Sequence, residues 1–159
     1  MNLDYFSNRK WFCGSGAPRS FYEILDEISS TSSFNEVHIG TDSHALNDNW
    51  TFASVVCLYH EGKGGKYYFF RSKRKKSSLP NLRERLYKEV EASIMLASVI
   101  RENLNMNDIT VHADTSMNPA NKSFASTSML KNFIVGMGFK CKTKPEAWAA
   151  AGVADKHSK

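Results

Sequence analysis

The hydrophobic period of this chain changes abruptly at Pro80, and that change limits the folds open to it. Before Pro80, apolar and β-branched side chains come in short runs: 36–41 (EVHIGT), 50–60 (WTFASVVCLYH) and 66–71 (KYYFFR). Gly62, Gly64 and Gly65 separate the last two runs, so the three read as an antiparallel meander of strands joined by turns. After Pro80, Leu82, Leu86, Val90, Ala97, Ile100 and Leu104 recur every three to four residues, which predicts a helix of about six to seven turns. Residues 108–114 (DITVHAD) return to strand character, and 124–135 put Met129, Leu130, Phe133 and Ile134 on one helical face. Gly136 and Gly138 stop that helix, 139–143 make a last short strand, and Pro145 suits the first turn of a terminal helix through Trp148 and Ala151. Ahead of all these, 20–28 (SFYEILDEI) spaces Phe21, Ile24, Leu25 and Ile28 as a short amphipathic helix, ended by the Ser-rich stretch 29–33. The order α-β-β-β-α-β-α-β-α predicts an α/β fold with a mixed sheet, in which a crossover helix connects parallel strands.

At 159 residues, 42% of them apolar and 12% aromatic, the chain suits one domain, 1–159, with 1–34 as an N-terminal extension carrying the short helix. Apolar stretches such as 94–100 end well short of the roughly 20 residues a membrane span requires. The N-terminal MNLDYFSNRKW lacks the apolar centre of a secretory signal, so a cytoplasmic protein with no membrane partner is expected. Cys13, Cys57 and Cys141 lie far apart in no paired spacing, which argues against a disulfide framework or a zinc knuckle. A net charge of +5 favours polyanionic partners, because lysines and arginines bound to phosphates release condensed counterions.

Two carboxylates stand where ligand sites form in such sheets, beyond the carboxyl ends of strands. Asp42 ends the first strand in HIGTDSH and Asp114 ends the fourth in VHADTS. If those strands are parallel neighbours, two like charges share one rim and call for a cation between them. Glu89 and Glu91 both lie on the long helix. Phase favours Glu89, which shares a stripe with Leu82, Leu86, Ser93 and Leu96, while Glu91 runs with Tyr87, Met95 and Ser98. Asp155, in GVADKHSK, falls in or after the terminal helix that would close the same edge. Oxygen-only ligands of this kind suit Mg2+ or Mn2+, and a pair of ions about 3.5–4 Å apart hydrolyses phosphodiesters without a protein nucleophile.

The segments HIGTDSH, LRERLYKE, VHADTS and KPEAWAAAGVADKHSK, in that order, resemble the ribonuclease H-like superfamily, and more closely its bacterial YkuK-type branch of predicted nucleases. The resemblance runs from about Glu36 to the C-terminus. It implies a five-stranded mixed sheet with helices on both faces. It also implies a metal site of Asp42, Glu89, Asp114 and Asp155, with Asp42 bridging. Ser43 and His44 follow Asp42 where proofreading exonucleases of the superfamily carry Asp-x-Glu, and their histidine before the last aspartate is absent, so that branch is disfavoured. The asparagine of cellular ribonucleases H after the second aspartate region has no clear match, which leaves RNA, DNA and hybrid substrates open.

The run Arg71, Lys73, Arg74, Lys75 and Lys76, preceded by Tyr67, Tyr68, Phe69 and Phe70, is a candidate surface for nucleic-acid phosphates, and Lys142, Lys144, Lys156 and Lys159 add charge near the rim, Lys144 being a candidate for binding substrate phosphates. A solvated loop explains the run equally well. His38 and His112 share strand parity with Asp42 and Asp114, and fit either core positions or a place beneath the site. His157 is a candidate for orienting a ligand or moving a proton. The expected function is a Mg2+- or Mn2+-dependent nuclease, two ions being expected. The rival is a catalytically inactive nucleic-acid-binding domain of the same fold.

Overall fold

A computed structural model describes residues 3–30, 36–60, 62 and 64–159. The Ser-rich stop expected at 29–33 therefore falls partly outside the described residues. Strands β1 (Trp11–Cys13), β2 (Pro18–Arg19), β3 (Glu36–Leu46), β4 (Asn49–His60), β5 (Gly64–Lys75), β6 (Ile109–Ser116) and β7 (Lys140–Lys144) form one mixed sheet in the order β2-β1-β5-β4-β3-β6-β7. The helices are α1 (Leu3–Ser7), α2 (Phe21–Ser30), α3 (Leu82–Leu104), α4 (Phe124–Gly136) and α5 (Asp155–Ser158), with a π-helical stretch over Ala149–Ala154 leading into α5. The meander is antiparallel, whereas β6 joins β3, and β7 joins β6, in parallel.

Seven strands replace the five expected. The two additional strands come from the supposed extension: β1 pairs antiparallel with the outer edge of β5, and β2 pairs with β1. Strands of three and two residues are too short to show a period, so their pairing was not legible from hydrophobic alternation. Large aromatics hold the segment in place. Trp11 stacks on Phe21 at 5.2 Å and meets Phe70 at 4.6 Å, and its indole N–H donates to the Phe6 carbonyl at 2.9 Å.

Helix boundaries follow their local chemistry. Ser20 and Glu23 cap α2 reciprocally, each side chain accepting the other's backbone N–H at 3.1 Å. The Asn81 side chain accepts the Glu84 N–H to start α3, and Asn105, at φ 50°, ends it in the left-handed conformation. The β3–β4 hairpin turns tightly through Asn47 and Asp48, with Asn47 at φ 55°. Pro145 departs from expectation. It follows a cis peptide bond in a turn after β7, and helical structure begins only near Trp148.

The two faces of the sheet differ. Odd residues of β3 and β6 (Val37, Ile39, Ile109, Val111) and even residues of β4 and β5 (Val56, Leu58, Tyr68, Phe70) enter one large apolar core with α1 to α4. The opposite face carries a small cluster, Val55, Cys57 and Phe69, covered by Ala149 and Ala154. Gly40 makes that cover possible: a Cβ there would lie 2.6 Å from the Ala150 nitrogen and 2.7 Å from the Ala149 carbonyl carbon. Among the described residues, no helix is long and apolar enough to cross a membrane.

Candidate metal centre

Asp42 and Asp114 reach a common level because β3 and β6 run parallel in fixed register. Val37 pairs with Ile109 and Gly40 with His112, and two residues further on the same offset sets Asp42 opposite Asp114. Pairing has stopped by then. On its other side β6 shifts register against β7 between His112 and Ser116, which puts Asp114 inside a bulge. Bulges re-aim side chains, and they concentrate beside functional sites.

Glu89 arrives from the opposite side, on α3. It is 4% exposed, while Glu91 lies nearer the surface and pairs with Lys88 at 3.0 Å. The Glu89 carboxylate accepts a hydrogen bond from the Ser43 hydroxyl at 2.7 Å. One residue earlier, Thr41 meets Ser93 of α3 at 2.7 Å and Ser54 of β4 at 2.9 Å. This buried hydroxyl network fixes α3 against the strand that carries Asp42.

Asp155 begins α5, and one turn later the Ser158 hydroxyl donates to Asp42 Oδ2 at 3.0 Å. Burial pushes the Asp42 carboxyl up to about 7. The Ser158 hydrogen bond lowers it, and the charge of Asp114 together with the adjoining Asp155 carboxyl raises it further. Burial likewise lifts Glu89 to about 8. Ser43 and Arg85 oppose that rise, and Asp42 and Asp114 add to it. Asp42 and Glu89 thus each feel Asp114, Glu89 feels Asp42, and Asp42 feels Asp155.

Internal partners stand on every one of these groups: Ser158 on Asp42, Ser43 on Glu89, Lys144 on Asp114 at 3.0 Å and Lys159 on Asp155 at 3.1 Å. Among the described residues, no three His, Cys, Asp or Glu side chains already stand in metal-coordinating geometry. The donor set nonetheless fits a hard divalent cation. It is oxygen only, and two of the carboxylates, Asp42 and Glu89, carry the penalty of buried negative charge.

Two histidines fix the floor beneath the rim. The Ala149 N–H donates to His112 Nδ1 at 3.1 Å, so His112 carries its proton on Nε2 and donates to His38 Nδ1 at 2.7 Å. His38 Nε2–H then faces Glu36 Oε2 at 3.2 Å. Burial holds both imidazoles below their ordinary range, His112 at about 3. Trp148 packs on both rings at 4.8 and 4.9 Å. The pair is an anchor for the terminal segment. His157 plays a similar part, stacking on Phe69 at 3.7 Å and meeting the Tyr67 hydroxyl at 2.8 Å, so its ring is engaged in packing and not aimed at the carboxylates.

The basic run is strand, not loop, because β5 extends to Lys75 opposite Asn49. Strand alternation splits it between faces. Arg71, Lys73 and Lys75 lie on the side of Asp42 and α5, where the Arg71 Nε–H donates to the His157 carbonyl at 2.6 Å. Arg74 lies on the α3 side next to Trp50, whose ring is covered by the Arg85 guanidinium at 4.3 Å. Lys144 is held on Asp114 instead of standing free on the surface.

Gly40, Ser43, Arg85 and Ser158 had not been singled out from sequence. Three of them carried a positional signal: Ser43 is adjacent to Asp42, Ser158 is one helical turn after Asp155, and Arg85 is one turn before Glu89.

In comparisons with known proteins, the family model described as Ribonuclease H-like matches residues 20–159. A structural similarity is found to RNase H1 from the halophilic archaeon Halobacterium salinarum NRC-1, with a TM-score of 0.37 and 13% identity, covering 77% of this chain and 99% of that one. A likeness that loose carries no functional detail. No curated protein matches the chain.

Proposed function

The chain belongs to the ribonuclease H-like family, and on that premise we propose that it is a Mg2+- or Mn2+-dependent nuclease, with Asp42, Glu89, Asp114 and Asp155 as its catalytic metal ligands. One observation carries the reading. Burial raises the Asp42 and Glu89 carboxyls, Asp114 adds to both and Asp155 adds to Asp42, so a cation bound among these acids of β3, α3, β6 and α5 would relieve buried negative charge. As one ion or as the pair the sequence suggests, the metal supplies when bound the activation of a water and stabilisation of the leaving oxygen. In the overall reaction a water oxygen bonds to phosphorus, the bond to the leaving oxygen breaks, and the proton lost by water is balanced by protonation of that oxygen.

The protein's own groups account for the rest. Asp42 and Asp114 are held by parallel register, Glu89 by Ser43 and the phase of α3, and Asp155 by the helix that Gly40 lets down onto the sheet. Arg71, Lys73 and Lys75 would line the approach on the face of Asp42, with Arg74 on the other face of the same strand, where they neutralise phosphates without reading bases. The polymer is RNA, DNA or a hybrid.

Labelled single-stranded, duplex and hybrid substrates, incubated with Mn2+ or with chelator, test the reading. Cleavage is expected with Mn2+, is abolished by chelation, and falls at least about a hundredfold in Asp42→Asn. Cleavage that survives both changes defeats the metal site. Salt-sensitive binding without cleavage favours the inactive binding domain.

A further inference from the structure

Several cations act on the candidate carboxylates: Arg85 on Glu89, Lys159 on Asp155 and Lys144 on Asp114, where the ammonium faces a buried oxygen. Three lysine–aspartate pairs occur among the described residues, and they differ in setting. Lys140–Asp108 is 71% and 62% exposed, and Lys159–Asp155 is 57% and 38% exposed. Screened pairs of that kind contribute little. Lys144–Asp114 is 37% and 20% exposed, and the carboxylate oxygen that Lys144 faces, at 3.0 Å, is itself buried.

Backbone on both sides directs this contact. Lys144 is the last residue of β7, paired in register with Ser116, so its Cα is fixed by the sheet. Asp114 lies in the bulge two residues before Ser116, which turns its carboxylate within reach. The ammonium thus reaches Asp114 from a fixed edge strand, where a strand-end aspartate of a two-ion site would otherwise offer that oxygen to a cation. Asp114 also acts on both Asp42 and Glu89, so any positive charge on it is felt by the whole group.

We propose that Lys144 is a resident cation of this centre: it occupies the Asp114 side, leaving the four carboxylates to bind one divalent ion and not two. The assignment rests on the metal reading above and refines it. A second ion would have to displace an ammonium already seated, against like charge at short range. Lys144 is therefore a positioning residue that sets metal stoichiometry, which separates it from the phosphate-tracking lysines of β5.

The test is Mn2+ titration of the full chain without nucleic acid, with free Mn2+ read by electron paramagnetic resonance and heats by calorimetry. Wild type is expected to bind one Mn2+ per chain. Lys144→Met is expected to bind two, the second at least about tenfold tighter than any further binding in wild type. Lys144→Arg, which keeps the charge, is expected to remain at one, and circular dichroism of each variant establishes that it is folded. Two ions in wild type, or one in wild type and in folded Lys144→Met alike, overturns the assignment while leaving the metal site standing. Wild type that binds no Mn2+ in an Asp42-dependent way overturns the metal reading and this assignment together.

Discussion

The two faces of the sheet are built on different principles. The α3 face is closed by branched and aromatic side chains from seven elements or more, with Ile39, Leu58, Leu96, Ile100, Ile109 and Leu130 entirely or almost entirely buried. The α5 face buries Val55, Cys57 and Phe69 under alanines, and beside them a histidine pair and Asp42. Apolar burial at roughly 25 cal/mol per Å2 makes the first face the source of stability. The second spends its buried volume on polar groups that must find specific partners. The candidate carboxylates draw on both faces: Asp42 and Asp114 lie on the second, while Glu89 comes from α3 on the first, tied in by the hydroxyls of Ser43, Thr41 and Ser93.

That contrast predicts its largest effect in the main core. Leu96→Ala should cost about 2–5 kcal/mol in denaturant melts, because it opens a cavity in a fully buried position. Activity at low temperature should scale with the folded fraction. Loss of activity in fully folded Leu96→Ala would break the division between the faces.

Next comes pH. Asp42 moves from 3.8 to about 7 and Glu89 from 4.5 to about 8, so the folded chain retains protons that the unfolded chain releases. This contribution is fully present below the unfolded values and is lost as pH rises through the folded ones. In chelator, stability should therefore fall between about pH 4 and pH 8 by an amount on the order of a few kcal/mol. Glu89→Gln should flatten the curve and raise stability at pH 8. A pH-independent melting temperature in chelator would show that these carboxylates are not buried as described.

A smaller change tests the cover of the α5 face. Gly40→Ala forces a methyl into the Ala149–Ala150 backbone, with an expected cost of about 1–3 kcal/mol. Activity should fall by more than the loss of folded protein, since Asp155 rides on the displaced segment. The smallest effect concerns the exposed strand edge. Lys73→Ala should leave stability unchanged, weaken nucleic-acid binding, and lower the salt slope measured by fluorescence anisotropy by about 1.

How much of this was legible in the sequence depended on the range of each signal. Helix α2 showed its buried residues through period alone and α3 showed most of its own, Leu82 and Leu104 being only part-buried, and Glu89 was separated from Glu91 by phase because a helix fixes which side chains share a face. Asp42 and Asp114 were visible as strand ends. Strands β1 and β2 were not, since three and two residues hold no period and their pairing depends on the distant edge of β5. The length of β5 was missed for a related reason. Its charged half is strand only because β4 pairs with it as far as Lys75.

By itself, then, the sequence determined the order of elements from α2 onward and the mixed α/β class, and it offered Asp42, Glu89, Asp114 and Asp155 as candidates, all from local spacing and residue chemistry. Only the tertiary structure decided what each acid touches. Parallel register set Asp42 level with Asp114, a bulge turned Asp114 toward Lys144, and an absent Cβ at Gly40 let the terminal segment reach the sheet. Each of these depends on residues far apart in the chain meeting to within an ångström, and hydrophobic periodicity carries no record of such distances.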